Sequence, residues 1–173
     1  NLKKKLDNLK KKGKKIILCH GVFDVLHYGH VLHFEEAKKF GDILVVSVTS
    51  DKFVNKGPNR PIFNLETRMR MLSSIKDIDF VIANNNQTPI DLIKNLKPNI
   101  YCKGKDYINN SKDLTGNIKK EINAIKSVGG KIHYSVTEMM SSSKIINQTS
   151  LNLNPSQQKF INKIKNSNYV NND

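Results

Sequence analysis

Two histidines stand three residues apart in Gly21-Val-Phe-Asp-Val-Leu-His-Tyr-Gly-His30, a GxFDxxHxGH string. It lies between a strand-like run, Ile16 to His20, and a helix-like run, Val31 to Phe40. At such a strand-to-helix turn, backbone N–H groups and the helix dipole face an incoming anion. Gly29, between the two imidazoles, lets the chain approach phosphates that any side chain would hold away. His27 and His30 are then placed to donate hydrogen bonds to α- and β-phosphate oxygens that gain charge as the phosphorus becomes pentavalent. A zinc reading of His27, His30 and His33 fares worse. Their spacing drifts around a helix, and no cysteine or carboxylate in the string completes a ligand set.

Further groups suited to phosphate follow along the chain. Lys56 sits in a Gly/Pro loop, Lys56-Gly-Pro-Asn-Arg-Pro61, where a cation can close over an anionic pocket. Arg60 shares that loop, and Arg68 follows on a helix from which a guanidinium can reach a phosphate. Lys103-Gly-Lys-Asp-Tyr107 offers Lys103 for a co-substrate phosphate and Asp106 for a ribose hydroxyl. Ser141, Ser142 and Ser143 open a last helix, where hydroxyls and N–H groups either cap it or bind phosphate.

These residues need a frame, and the hydropathy pattern supplies one. Strands are expected at Ile16 to His20, Ile43 to Thr49, Phe80 to Ala83, Ile100 to Cys102 and Ile132 to Val136. The continuous β-branched run Ile43 to Thr49 suits a strand buried on both faces. Helices are expected between them. Leu65, Met69 and Leu72 make one stripe behind an Asn64 cap, Ile90, Ile93 and Leu96 a second, and Ile118, Ile122 and Ile125 a third. A last core helix is expected over Ser141 to Gln148. Alternation of this kind implies a Rossmann-like, doubly wound α/β fold, a parallel five-stranded sheet with helices on both faces. Ligands in such sheets bind beyond the carboxyl ends of the strands. His20-Gly21, Ser50-Asp51, Lys103-Gly104 and Glu138 to Ser141 all fall at such ends.

Length and composition bound the rest. A chain of 173 residues is one domain with a short appendage. Residues 1–14 read as a basic amphipathic helix through Leu2, Leu6 and Leu9, residues 15–149 as the domain, and residues 150–173 as a linker or tail leading toward a further domain. The chain starts at Asn1, so it reads as an excerpt of a longer polypeptide. Two cysteines, Cys19 and Cys102, support no disulfide framework and point to a reducing, cytoplasmic setting. No apolar run approaches a membrane span. The net charge of +14 is concentrated at the ends, with eight lysines against one aspartate in residues 1–15. A solvated face explains such a run better than a nucleic-acid arm. A basic RNA-binding module or an idle nucleotide sensor is the rival from another class, and the chain lacks the interleaved aromatics that stack bases.

The ordered motifs from about residue 15 to 148 resemble the cytidylyltransferase-like nucleotidyltransferase superfamily. Within it, they are most similar to the nucleotidyltransferase domain of ADP-heptose synthases. The likeness is carried by the HxGH string, Lys56-Gly-Pro-Asn-Arg-Pro-Ile62, Glu66-Thr-Arg-Met69, Lys103-Gly-Lys-Asp-Tyr107 and Met140-Ser-Ser-Ser-Lys-Ile145. It implies adenylyl transfer from ATP, or cytidylyl transfer from CTP, to a sugar phosphate, with Mg2+ carried on the triphosphate. His27, His30 and Lys56 are implied as catalytic. Gly21, Val22, Phe23, Tyr28, Gly29, Arg68, Gly104, Asp106 and Ser141 to Ser143 are implied at the nucleotide, and Asp24, Arg60 and Lys103 at the acceptor. A homodimer and a fused sugar-kinase domain are common in that branch. Met139 replaces the glycine usual before the serines, and Ser142 and Ser143 stand where threonines are usual. Glycerol-3-phosphate cytidylyltransferases, the alternative, carry an arginine where this chain has Val136.

Overall fold

The computed structural model describes residues 2–57, 59–107, 117–136 and 159. Five strands, β1 (Ile16–Gly21), β2 (Ile43–Thr49), β3 (Phe80–Asn84), β4 (Ile100–Gly104) and β5 (Lys131–Ser135), form one all-parallel sheet in the order β3-β2-β1-β4-β5. This is the expected doubly wound sheet. The order reverses between β1 and β4, so the crevice for a ligand opens where Gly21 and Gly104 end their strands. The helices are α1 (Leu2–Lys11), α2 (Tyr28–Lys38), α3 (Leu65–Ser73), α4 (Ile90–Leu96) and α5 (Asn117–Ser127).

The pleat sorts each strand's residues onto two cores. Ile17, Cys19, Leu44, Val46, Val48 and Cys102 face α2 and α3, meeting Phe34, Ala37 and Leu72. Ile16, Leu18, Val45 and Tyr101 face the other way, meeting Ile93 and Leu96 of α4, Ala124 and Ile125 of α5 and Leu6 of α1. Helix α3 begins as its sequence predicts, with the Asn64 Oδ1 accepting the Thr67 N–H at 2.9 Å. In α5 the expected stripe is only partly right. Ile118 and Ile125 are buried, but the buried set is completed by Glu121 and Ala124, not by Ile122. The expected helix over Ser141 to Gln148 lies outside the described residues.

The basic N-terminal helix belongs to this fold. Leu6 is buried, with Leu2 and Leu9 packed beside it. The Lys10 ammonium donates to the Leu96 carbonyl and, at 2.8 Å, to the Lys97 carbonyl, capping the C-terminus of α4. Its remaining lysines are exposed, with Lys3 pairing with Asp7 at 2.7 Å and Lys5 lying over the Phe80 ring. No helix among the described residues is long and apolar enough to cross a membrane. Truncating a buried leucine costs about 2–5 kcal/mol. Leu6→Ala should therefore lower the unfolding free energy by about that amount in a urea titration, whereas a loosely attached α1 would leave the midpoint unchanged.

Candidate active site

The turn between β1 and α2 is shaped by packing within its own residues. Phe23 takes a positive φ of 48° and its ring folds back over Gly21. A Cβ on Gly21 would sit 3.0 Å from that ring, a close approach that would press on the Phe23 side chain. The Phe23 ring then packs on Phe34 and meets His30 edge-on at 5.4 Å between centroids.

Two clamps fix the turn from below. Asp24, 2% exposed, accepts hydrogen bonds from the Ile62 and Phe63 N–H groups at 2.8 and 3.1 Å and pairs with Arg60 Nε at 2.6 Å. Burial alone would raise its pKa, but the Phe63 and Ile62 N–H groups and Arg60 together lower it. Arg68 is wholly buried and spends four of its five N–H donors on the protein. It reaches the carbonyls of Val22 at 2.6 Å, Thr49 at 2.9 Å and Phe63 at 2.9 Å, and the Asp51 carboxylate at 2.5 Å. Asp51 in turn accepts the Leu65 N–H that starts α3. Arg68 thus braces the β1–α2 turn from beneath instead of offering a free guanidinium. Asp24 and Arg60 face each other, although Arg60 Nη2 is buried without a hydrogen-bond partner and keeps a donor for an anion.

The two histidines come together as the spacing requires. His27 is the N-cap residue of α2, with its ring stacked on that of His30 at 3.9 Å. His30 Nδ1 accepts the His27 N–H at 3.4 Å, which leaves the proton of the neutral ring on Nε2 as a donor. Neither ring nitrogen of His27 has a hydrogen-bond partner among the described residues. Burial lowers the pKa of His27, and burial followed by the charges of His27, His33 and Lys56 pushes His30 down to about 3. Both rings are thus held toward the neutral form. Gly29 is buried between them, and Tyr28 is exposed.

Beside this turn lies a cavity of about 170 Å³, with Gly21, Val22, Lys56 and Lys103 among its lining. The loop of Lys56 reaches it through Gly57, whose φ of 92° suits glycine. Lys103 is buried against Glu121 at 3.0 Å, and its ammonium lies 4.4 Å from the centre of the Tyr107 ring. The same Glu121 oxygen accepts the Tyr101 hydroxyl at 2.8 Å. His20 pairs with Ser47 at 3.1 Å, and burial with the Lys103 charge pushes it to about 3. Gly104 closes β4 and Asp106 follows in a 3-10 turn, whereas Ser141, Ser142 and Ser143 lie outside the described residues. Glu121 was not anticipated. The available signal was a carboxylate on the same helical face as Ile118 and Ile125.

Comparison with known proteins gives a consistent picture. A family model described as cytidylyltransferase-like matches residues 18–148. The bifunctional protein HldE of Aliarcobacter butzleri (strain RM4018) is 42% identical over 130 residues, which are 73% of this chain and 26% of that protein. The bifunctional protein HldE of Helicobacter pylori (strain J99) is 41% identical over 128 residues, 72% of this chain and 27% of that protein. The chain thus spans about a quarter of the length of the curated relatives it matches. A crystal structure of the lipopolysaccharide core biosynthesis protein from Thermoplasma volcanium GSS1 superposes with a TM-score of 0.60 at 28% identity, covering 73% of this chain and all of that one. The pantoate-beta-alanine ligase of Francisella tularensis, at 20% identity and a TM-score of 0.57 over 94% of this chain and 75% of its own, shares the fold.

The buried imidazoles carry a pH dependence whose sign is fixed. Unfolded histidines take a proton near pH 6.5, but His20 and His30 do so only at about 3 and His33 at about 4. Between those values the unfolded chain binds more protons, so acidification favours unfolding. Stability should fall steadily as pH drops from 6.5 toward 3, and urea midpoints that stay flat over that window would contradict the burial described.

Proposed function

We infer what this chain does from one premise: it belongs to the cytidylyltransferase-like family. We propose that it transfers adenylyl from ATP to a sugar 1-phosphate, most specifically heptose 1-phosphate, making ADP-heptose and releasing pyrophosphate. The observation that supports this reading is the stacked pair His27 and His30 at the start of α2. The histidines do not themselves line the cavity, which shares the β1–α2 turn through Gly21 and Val22 and takes its cations from Lys56 and Lys103.

The acceptor phosphate oxygen attacks the α-phosphorus in line, the bond to the bridging oxygen breaks, and pyrophosphate departs with no covalent intermediate on the protein. His27 and His30 hydrogen-bond the oxygens that gain charge, and Lys56 on its loop closes over the polyphosphate. Lys103 and the free Nη2 of Arg60 suit the acceptor phosphate, and Asp24 holds Arg60 in place for it. Gly21, Val22, Phe23, Gly29 and Gly104 supply close-approaching backbone. Tyr28, Asp106, Ser141, Ser142 and Ser143 complete the nucleotide site in this proposal. The two buried carboxylates near the cavity, Asp24 and Glu121, are already paired with cations. The donor set therefore fits Mg2+ entering on the triphosphate, where it would neutralise phosphate charge. A fused sugar kinase accords with relatives that are longer and named bifunctional. A homodimer and a cytoplasmic location complete the proposal.

Pyrophosphate release separates the alternatives when ATP and CTP are each offered with heptose 1-phosphate and with glycerol 3-phosphate. Release with ATP and heptose 1-phosphate is expected. Release confined to CTP and glycerol 3-phosphate would reassign the acceptor and the base, and silence in all four would remove the enzyme reading. His30→Ala should retain the fold by circular dichroism and lose on the order of 10²–10³ in kcat, the usual cost of one such donor.

A further inference from the structure

The core holds a second cluster of chemically active side chains, separate from the phosphate turn. The chain has two cysteines, Cys19 and Cys102, and both are found there. They are register partners on the adjacent strands β1 and β4, and both face α2. His33 comes down from α2 onto the same spot, so that one ligand atom from each of the three residues lies within 4.8 Å of the others. All three are nearly inaccessible to solvent, the cysteines fully so and His33 at 4%. Both cysteines belong to the same core cluster as Phe34, Ala37, Val46 and Leu44, and Lys103 is near enough for its charge to act on both Cys19 and His33.

We propose that Cys19, Cys102 and His33 form a thiophilic metal site that takes Zn2+. The geometry supports this at three levels. The Ser135 hydroxyl pairs with His33 Nδ1 at 2.8 Å, which fixes the ring and leaves Nε2 for the metal, as an outer-shell partner of a ligating histidine does. Charge balance suits a dry core, because two thiolates neutralise one divalent ion and a neutral imidazole adds no charge. Burial, with the neighbouring Cys102, pushes the Cys19 thiol up. Loading exchanges protons for metal: Zn2+ displaces one proton from each thiol, forms two Zn–S bonds and one Zn–N bond, and releases two protons. Three protein donors with a water in fourth place is an established zinc arrangement.

The position gives the ion a consequence. β1 runs directly into His20-Gly21, β4 into Lys103-Gly104, and α2 begins at the stacked histidines. One ion would tie together the three elements that carry the phosphate turn and the cavity cations, whichever acceptor the site takes.

Cobalt titration tests this on the chain purified under reductant and stripped of metal by a chelator. Thiolate-to-cobalt charge-transfer absorption saturating at one ion per chain is expected, with displacement by Zn2+ and a thermal midpoint that rises as Zn2+ is added. Cys19→Ala with Cys102→Ala should abolish the absorption. Should that pair fail to fold, His33→Gln keeps both thiols and should still lose the midpoint rise. Absence of thiolate charge transfer in the wild-type chain, or a Zn2+ response that survives loss of both cysteines, would overturn the site.

Discussion

The shape of the β1–α2 turn, which we propose faces the polyphosphate, rests on Arg68. Its guanidinium joins the Val22 carbonyl in the phosphate turn to the Thr49 carbonyl at the end of β2, to Phe63 and to Asp51. Buried arginine is tolerated only when its charge and donors are satisfied, and these four bonds do so. Asp24 acts on the other side of the turn, drawing the Ile62 and Phe63 N–H groups and Arg60 toward it. Together they bind the loop that carries Lys56 and Arg60 to the loop that carries His27 and His30.

The division of electrostatic labour follows from burial. His27 and His30 sit where water is scarce, so they remain neutral and act as donors without repelling the lysine beside them. Fixed positive charge comes from Lys56 and Lys103 at the cavity, and Glu121 restrains Lys103 through a buried pair that also engages Tyr101. A polyanion is met by donors already in place, with little reorganisation left to do. The bulk of the net charge serves no such purpose. Part of it lies on α1, which carries five lysines against one aspartate and whose inward leucines join the core.

Much of this was legible in the residues. The β-branched run Ile43 to Thr49 gave its strand without error, because a segment buried on both faces has one reading. Asn64 announced α3 through local capping chemistry. The histidine pair followed from spacing alone, since a helix start places residues three apart on one side. What sequence could not supply was partnership at a distance. Arg68 looks like a phosphate ligand until its four internal bonds are seen, and Asp24 looks like an acceptor contact until Arg60 is found beside it. Helix α5 shows the limit of a hydrophobic stripe: Glu121 occupies a core position because Tyr101 and Lys103, on another element, satisfy it. The cysteines were read separately and as unremarkable, and His33 was tested for zinc only against the histidines in its own helix. Strand register brings Cys19 to Cys102, and register is a property of the fold.

The central claim is that the β1–α2 turn, with His27 and His30 as neutral donors, is where the nucleotide phosphates sit. Nitrogen NMR of the imidazoles, with and without a non-hydrolysable ATP analogue and Mg2+, tests it directly. The account predicts that the His27 and His30 ring resonances move together as the analogue saturates, while His133, on β5 and paired with Glu36, stays in place. Saturable binding of the analogue that leaves both His27 and His30 unmoved would place the nucleotide elsewhere and contradict the account.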